Sequence, residues 1–402
     1  MNLTAGHPRR WQTVEAILKK IASTLAVVAG LSLAATAAQA EIKVGFVTAL
    51  SGAGASIGIP YEKGIKAAFE YQSEVGGEKI TLISLDDGSD PSAASRAARK
   101  LVEEEHVDLL IGSAQATSTI AMVAVANELH VPMIAISPIN VTPAKDGERW
   151  AIAMPQTPAL MVKVIAKRMQ RDGIKTVGYI GYNDAWGDFV YDGAKAAEAD
   201  GGPKVTTNER YSRTDTSVTG QVLKVLASRP DAFIDGGSGT QGALPLIELR
   251  KRGFKGPFYG TPSVLNADFI RVGGAAVEGI QVSAGPVVVT SQLPDDHFAK
   301  KPGMAFHEAY AKVNNGEQVT DGFSGYSFDG WLVFLDAAEK ALKEEKPGTQ
   351  AFRKALNDAI FTTKDLPGVH AVYNFTPASS YGVDERSLVV VKLVEGKWVY
   401  QP

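Results

Sequence analysis

The chain has 402 residues, 41 basic and 44 acidic, and a formal net charge of −3. That length exceeds what one hydrophobic core usually holds, so two domains are expected, and the slightly acidic balance argues against nucleic acid as a partner. Cysteine is absent, which excludes a disulfide framework, thiol chemistry and thiolate metal sites.

At the N-terminus, Arg9, Arg10, Lys19 and Lys20 precede the apolar run "IASTLAVVAGLSLAATA", which ends in Ala38-Gln39-Ala40. A basic start, a short apolar stretch and an Ala-x-Ala end describe a secretory signal peptide, with cleavage expected after Ala40. The run is short for a membrane span and lacks a basic stop-transfer flank. The Arg9-Arg10 pair raises a twin-arginine route, but "HPRRWQT" fits that pattern poorly, so the general secretory route is expected. Cleavage would remove four basic residues and Glu15, leaving a formal charge of −6. No second long apolar run follows, so a soluble periplasmic protein is expected.

From Glu41 the pattern alternates between strand and helix. "IKVGFVTAL" reads as a buried strand, residues 61–75 as a helix with Ile65, Ala68 and Phe69 on one face, and "KITLISLDD" as a strand. A helix over 91–104, the strand "VDLLIGS", and a further helix and strand within "AQATSTIAMVAVANELHVPMIAIS" follow. The alternation restarts after "WAIAMPQTPA": strand "TVGYIGY", helix 186–199, strand "KVTTNERY", helix 218–228, strand "DAFIDGG", helix 241–252, strand "PFYGT". Short continuous apolar runs separated by helices indicate parallel sheets covered on both faces. Beyond "EGIQVSAG" come the Pro-containing connection "GPVVVTSQLPDDHF", helical patterns at 304–313 and 324–344, and the hairpin-like end "LVVVKLVEGKWVYQ", a tail expected to complete the two earlier halves. The fold class is α/β, with two doubly wound parallel-sheet lobes and a cleft between them. Ligands in such sheets sit at the carboxyl ends of the strands, so the polar turns there are the informative residues.

Among those turns, Thr117-Ser118-Thr119 opens a helix, where unpaired N–H groups and the helix dipole suit an anion. Capping is the plainer role for Ser and Thr there, and both can hold at once. The stretch "GGSGTQG" lacks the Lys-Ser/Thr ending of a phosphate loop and reads instead as a tight strand-to-helix turn. Asp86, Asp87 and Asp90 are close in sequence, but Asp90-Pro91 fits an N-cap followed by proline, and the histidines show no ligand spacing, so no metal and no cofactor is expected. Neither "GGSGT" nor "GFSGY" completes a nucleophile elbow, so an enzyme is not expected. The aromatic residues Tyr182, Trp186, Tyr259, Phe323 and Tyr326 fall in cleft turns. Each alone reads as packing except Trp186, placed to lay its indole on a bound apolar group.

The segments "IKVGFVTALSGAGASIG", "DDGSDPSAASRAARKLV", "VDLLIGSAQATSTIA", "VPMIAISPINVTP" and "YNDAWGDFVYDGAK" carry a family likeness in their order and spacing. Over nearly the whole mature chain the sequence resembles the periplasmic solute-binding proteins of the branched-chain amino acid type, which serve ABC importers. The resemblance implies a type I periplasmic binding protein with three crossovers joining lobe 1 (41–156 plus 286–386) to lobe 2 (157–285 plus 387–402). It further implies a small-molecule ligand, a membrane permease as partner, and a monomer. Carried over by position, the carboxylate seat falls on Ala116, Thr117 and Ser118 and on Ile139, Asn140 and Val141. The second lobe contributes Trp186, Ser238 and Pro262, and Ile57 and Phe323 line the cleft. Two positions depart from the family pattern. Ala116 replaces the serine that usually holds the carboxylate, leaving Thr117 or Ser118 to do so. Pro262 replaces the acid that usually pairs with the ligand ammonium. With no Arg or Lys in the cleft turns considered, a small carboxylate without an ammonium, held by hydroxyls and N–H groups, is expected, with an aromatic or other flat body. A branched-chain amino acid paired with Asp184, Asp188 or Asp321 is the alternative within transport, and an exported hydrolase or isomerase the alternative outside it.

Overall fold

The computed structural model describes residues 41–402, and the expected signal peptide lies outside them. The first sheet has six strands in the order β2-β3-β1-β4-β5-β6, formed by β1 (Ile42–Thr48), β2 (Glu74–Val75), β3 (Glu78–Asp86), β4 (Leu109–Gly112), β5 (Met133–Ala135) and β6 (Ala151–Ala153). β1 is parallel to β3 and β4, the parallel order continues through β6, and β2 turns back antiparallel onto β3. Side chains of β1 are buried on both faces, which is why its sequence is apolar apart from Lys43 and Thr48.

The second sheet has eight strands, with a parallel core of β7 (Thr176–Tyr182), β10 (Ala232–Gly236), β11 (Phe258–Gly260) and β12 (Gln281–Ala284). β8 (Lys204–Val205) and β9 (Glu209–Tyr211) both pair with β7. The segment "KVTTNERY" is thus two strands rather than the one expected. The hydroxyl of Thr207 takes the Tyr179 N–H at 2.9 Å, replacing a rung of the backbone ladder and parting the two strands. β13 (Leu366–Pro367) and β14 (Val372–Tyr373) pair antiparallel as a separate ribbon, and at the other edge of the second sheet β15 (Val389–Val394) runs antiparallel to β12 and forms a hairpin with β16 (Lys397–Gln401). Its turn is Glu395-Gly396, both with positive φ, the backbone twist that suits a two-residue hairpin.

The chain passes between the sheets three times: in the segment between β6 and helix α4 (Pro158–Arg171), after β12, and before β15. Ahead of α4 come α1 (Ala55–Tyr71), α2 (Pro91–Glu103) and α3 (Ala116–Leu129). After it come α5 (Ala185–Ala199), α6 (Thr219–Ser228), α7 (Ala243–Lys251), α8 (Ala267–Gly273), α9 (Lys300–Val313), α10 (Ser324–Ala341) and α11 (Gln350–Ile360). α9 and α10 pack on α1, so the tail returns to the first sheet before its last hairpin joins the second. Asp90 caps α2 by accepting from Ala93 N–H at 2.6 Å, with Pro91 opening the helix, as its capping reading anticipated.

α1 begins at Ala55, ahead of the expected residue 61, and carries Pro60 inside. Its position is set by two glycines: a Cβ on Gly58 would fall 1.9 Å from the Ala49 carbonyl, and one on Gly64 would fall 2.1 Å from that of Ser324. The helix therefore lies directly on the backbone after β1 and at the start of α10. That places Ile57 and Tyr61 beside Phe323 and Tyr326.

Candidate functional site

A cavity of about 450 Å³ lies where the carboxyl ends of the two parallel sheets face each other, the position favoured for ligands in open α/β sheets. From the first half it is lined by Ile57 and Tyr61, by Ala114, Gln115 and Ala116 after β4, by Ser137 and Pro138 after β5, and by Phe323 and Tyr326. From the second half come Met161, Trp186 after β7, Arg213 after β9, Ser238 after β10, and Pro262 and Ser263 after β11.

Of the residues singled out in the sequence, the cavity brings together Ile57, Ala116, Trp186, Ser238, Pro262 and Phe323. Thr117, Ser118, Ile139, Asn140 and Val141 are not among the residues of its wall. The lining after β4 is 114–116 because α3 starts at Ala116, one residue before the Thr-Ser-Thr turn. Ser118 is fully buried with an unpartnered hydroxyl. Thr119 pins the turn instead, its hydroxyl accepting from Ser113 N–H at 3.0 Å. The lining after β5 is Ser137-Pro138 because the next residues turn onto Tyr381, whose O–H donates to the Ile139 carbonyl at 2.6 Å and whose oxygen accepts from Val141 N–H at 3.1 Å.

The start of α3 is an electropositive edge of the cavity. Its N-cap, Gln115, makes no side-chain capping bond, and the first turn holds no acid. The first backbone bond of the turn is Thr119 N–H to the Gln115 carbonyl at 2.9 Å, so the N–H groups of Ala116, Thr117 and Ser118 have no protein partner. Such groups attract an anion. Behind them Asp87 is buried, accepting from the Ser113 hydroxyl and from Ser89 N–H, and burial raises its pKa.

The rings of this half have their polar tips engaged away from a ligand. Tyr61 O–H donates to the Ile136 carbonyl and Tyr326 O–H to Gln156 Oε1, both at 2.6 Å. Burial first, then the neighbouring charges, push the Tyr61 pKa well above the ordinary phenol value. Phe323 meets Tyr61 edge to face at 5.5 Å, and His370 stacks on Tyr326 at 3.9 Å. Burial depresses the His370 pKa to about 3, so this ring is neutral.

In the second half Trp186 is buried, and its indole N–H donates to the Gly237 carbonyl at 3.0 Å, which fixes the ring plane. Tyr182 and Tyr259 are not in the lining. Tyr182 donates to the Ser238 carbonyl at 2.7 Å, and Tyr259 reaches Asp172 at 2.7 Å. A basic residue enters the wall from a turn outside those considered in the sequence. Arg213 lines the cavity, its guanidinium donating to Asp184 Oδ2 at 2.6 Å and to Ser238 Oγ at 3.0 Å, and lying 4.0 Å from the centre of the Tyr182 ring. Asp184 in turn caps α5, accepting from Trp186 N–H at 3.0 Å. The sequence signal for Arg213 was its place two residues past a second-sheet strand.

The acids considered as ammonium partners are all engaged. Asp184 holds Arg213, Asp188 pairs with Arg210 at 2.9 Å, and the buried Asp321 accepts from Phe323 and Ser324 N–H at 2.7 Å each. None of the three lines the cavity.

Comparison with known proteins agrees with this architecture. The family described as periplasmic binding protein matches residues 41–379. A crystal structure of an extracellular ligand-binding receptor from Rhodopseudomonas palustris HaA2 is similar at 41% identity and a TM-score of 0.85, covering 90% of this chain and 100% of that one. A Leu/Ile/Val-binding protein of Rhizobium johnstonii is 25% identical over 306 residues, 74% of this chain and 82% of that protein. More distantly, an R. palustris ABC-transporter solute-binding protein solved in complex with benzoate shares the fold, at 20% identity, a TM-score of 0.70 and coverage of 90% and 95%. Family membership places the protein outside the cytoplasm as a solute-binding protein. The chain belongs to the periplasmic binding protein family, of the branched-chain amino acid type.

Proposed function

We propose that the protein captures a small carboxylate with an aromatic or other flat apolar body and no α-ammonium, and delivers it to its permease. One observation carries this reading: the cavity lining contains a single charged side chain, the cation Arg213, and no carboxylate. A buried ammonium without an acidic partner is costly, whereas an acid finds the uncapped N–H groups at the start of α3. The rings of Tyr61, Trp186, Phe323 and Tyr326 suit a flat body, and benzoate in a fold neighbour supports the same ligand class. Residues 41–156 plus 286–386 and residues 157–285 plus 387–402 act as lobes that close about hinges near 154–157, 285–286 and the crossing before Ser387.

The branched-chain amino acid reading is favoured by the names of relatives such as the R. johnstonii protein, and is weakened by Pro262 and by the engagement of the nearby acids. A catalytic reading is weaker still, because the lining offers no His, Asp, Glu, Lys or Cys to activate its serines or act as nucleophile.

A thermal-shift screen of refolded, ligand-stripped protein against carboxylates, amino acids, amides and sugars tests the proposal. Aromatic acids are expected to raise the unfolding temperature with concentration, because a ligand that binds only the folded state stabilises it. A response confined to amino acids would overturn it.

A further inference from the structure

We infer that Arg213, with Asp184 and Ser238, reads a second, uncharged oxygen at the far end of the ligand, so that the preferred substrates are ring-oxygenated aromatic acids (hydroxy, methoxy or acyl) rather than unsubstituted ones. The inference rests on the proposed function and deepens it.

The two ends of the cavity differ in charge. At the start of α3 the N–H groups of Ala116, Thr117 and Ser118 are unpaired and the first turn has no acid, so a full negative charge meets favourable dipoles there, while the buried Asp87 behind them is already bonded to the Ser113 hydroxyl and Ser89 N–H. At the opposite wall the cation of Arg213 is already matched by Asp184 at 2.6 Å, with side chains only 16% and 19% exposed. A ligand carboxylate placed against Arg213 would also lie near the Asp184 charge, and like charges in a poorly hydrated site repel. What the pair still offers is hydrogen-bond donation. A guanidinium carries five N–H donors, and the protein engages Arg213 through Nε and Nη1 only, leaving Nη2 without a protein partner.

The neighbouring hydroxyl holds that donor in place. Ser238 Oγ accepts from Arg213 Nη1 at 3.0 Å and hydrogen-bonds the Tyr182 hydroxyl. Ser263, the other lining hydroxyl of this half, is satisfied through the Gly237 carbonyl at 2.9 Å and the Thr261 hydroxyl at 2.8 Å. The site is also held still. Asp184 is anchored as the α5 cap, the Arg213 plane rests on the Tyr182 ring, and Tyr182 is tied to the Ser238 carbonyl. A rigid, internally neutralised pair with spare donors matches an ether, phenol or carbonyl oxygen. A site built to hydrogen-bond such an oxygen discriminates against an analogue lacking it, because its buried donors are then left unpaired.

Titration calorimetry on the full mature protein provides the test. Two ligand pairs are used, benzoate with 4-hydroxybenzoate and 3-phenylpropanoate with 3-(4-hydroxyphenyl)propanoate, against wild type, Arg213→Met and Arg213→Lys. In at least one pair the wild type is expected to bind the oxygenated acid about tenfold more tightly, in keeping with one charge-assisted hydrogen bond. Arg213→Met should remove most of that preference, weakening the oxygenated acid more than the plain one, and Arg213→Lys should restore part of it. Equal loss for both members of a pair would show that Arg213 holds the carboxylate and would overturn the inference, as would an absence of preference in the wild type, which needs no variant to fold. Binding of leucine with no response to any acid would defeat the acid reading of the site and this inference with it, whereas equal affinity for plain and oxygenated acids defeats the inference alone.

Discussion

Thr240 N–H donates to the hydroxyl oxygen of Ser56 at 3.2 Å, a direct hydrogen bond from the second half of the molecule to the first at the edge of the cavity. Beside it Gly239 has φ +56, and a Cβ there would fall 2.6 Å from Ser56 Oγ and 3.1 Å from Ile57 Cγ1. The two halves therefore meet in this arrangement, and the meeting depends on the missing side chain. Gly239→Val should weaken ligand binding at least about tenfold, since it adds both a clash across the cleft and an unfavourable φ. Ser56→Ala, which removes one hydrogen bond worth about 1 kcal/mol, should weaken binding by less. Solution scattering of the valine variant at saturating ligand should show a larger radius than the liganded wild type; equal radii would mean that this contact does not limit closure.

Trp186 presents its ring to the cavity while its N–H is held by the Gly237 carbonyl. Trp186→Ala should cost at least about 1 kcal/mol in binding, the scale of a buried aromatic anchor. Trp186→Phe should lose less, because it keeps a flat face and gives up only the hydrogen bond. Calorimetry together with thermal unfolding checks this, and unchanged affinity in a natively stable alanine variant would assign Trp186 to packing alone.

Two carboxyl groups lie fully buried away from the ligand. Burial pushes Asp235 up to about 7, and only Gly237 N–H, at 2.8 Å, favours its ionised form. Asp329 is also raised to about 7, because burial outweighs the bonds from Val369 N–H, His370 N–H and Tyr373 O–H. In an unfolded chain each would ionise near pH 4. Between about pH 4 and pH 7 the folded state therefore holds more protons than the unfolded one, so these groups make stability fall as pH rises through that window and then level off. Asp235→Asn should reduce the loss of stability between pH 5 and pH 8 by up to about 2.7 kcal/mol, because about two pH units of the affected range lie in that window, with the Asp329 share of the slope remaining. Denaturant unfolding at the two pH values measures this; an unchanged slope would mean that Asp235 ionises normally in the folded protein.

The parallel strands were legible because both faces of a strand such as β1 are covered, leaving a mostly apolar run in the sequence. The start of α1 was less so, since Pro60 resembles a helix opening and nothing local announces that Gly58 and Gly64 dock the preceding turn on Ala49 and Ser324. In the turns that line the cavity no periodicity fixes which side chain points inward. The positions read there, Ala116 to Ser118 and Ile139 to Val141, share Ala116 with the cavity wall, which also takes in Ala114, Gln115, Ser137 and Pro138. Arg213 was missed for a different reason. It sits in the polar stretch "YSRTD", where a basic residue looks like ordinary surface, although its place just past β9 is the location that the strand-end rule singles out.

The account stands most directly on the charge of the ligand, which titration calorimetry of the ligand-stripped protein with benzoate-type acids, aromatic 2-oxo acids and leucine would measure. Saturable binding of at least one aromatic acid, with leucine bound at least a hundredfold more weakly or not at all, is the expected result for a cavity lined by no carboxylate and edged by the unpaired N–H groups at the start of α3. Micromolar leucine binding with no heat from the deaminated acids would contradict it.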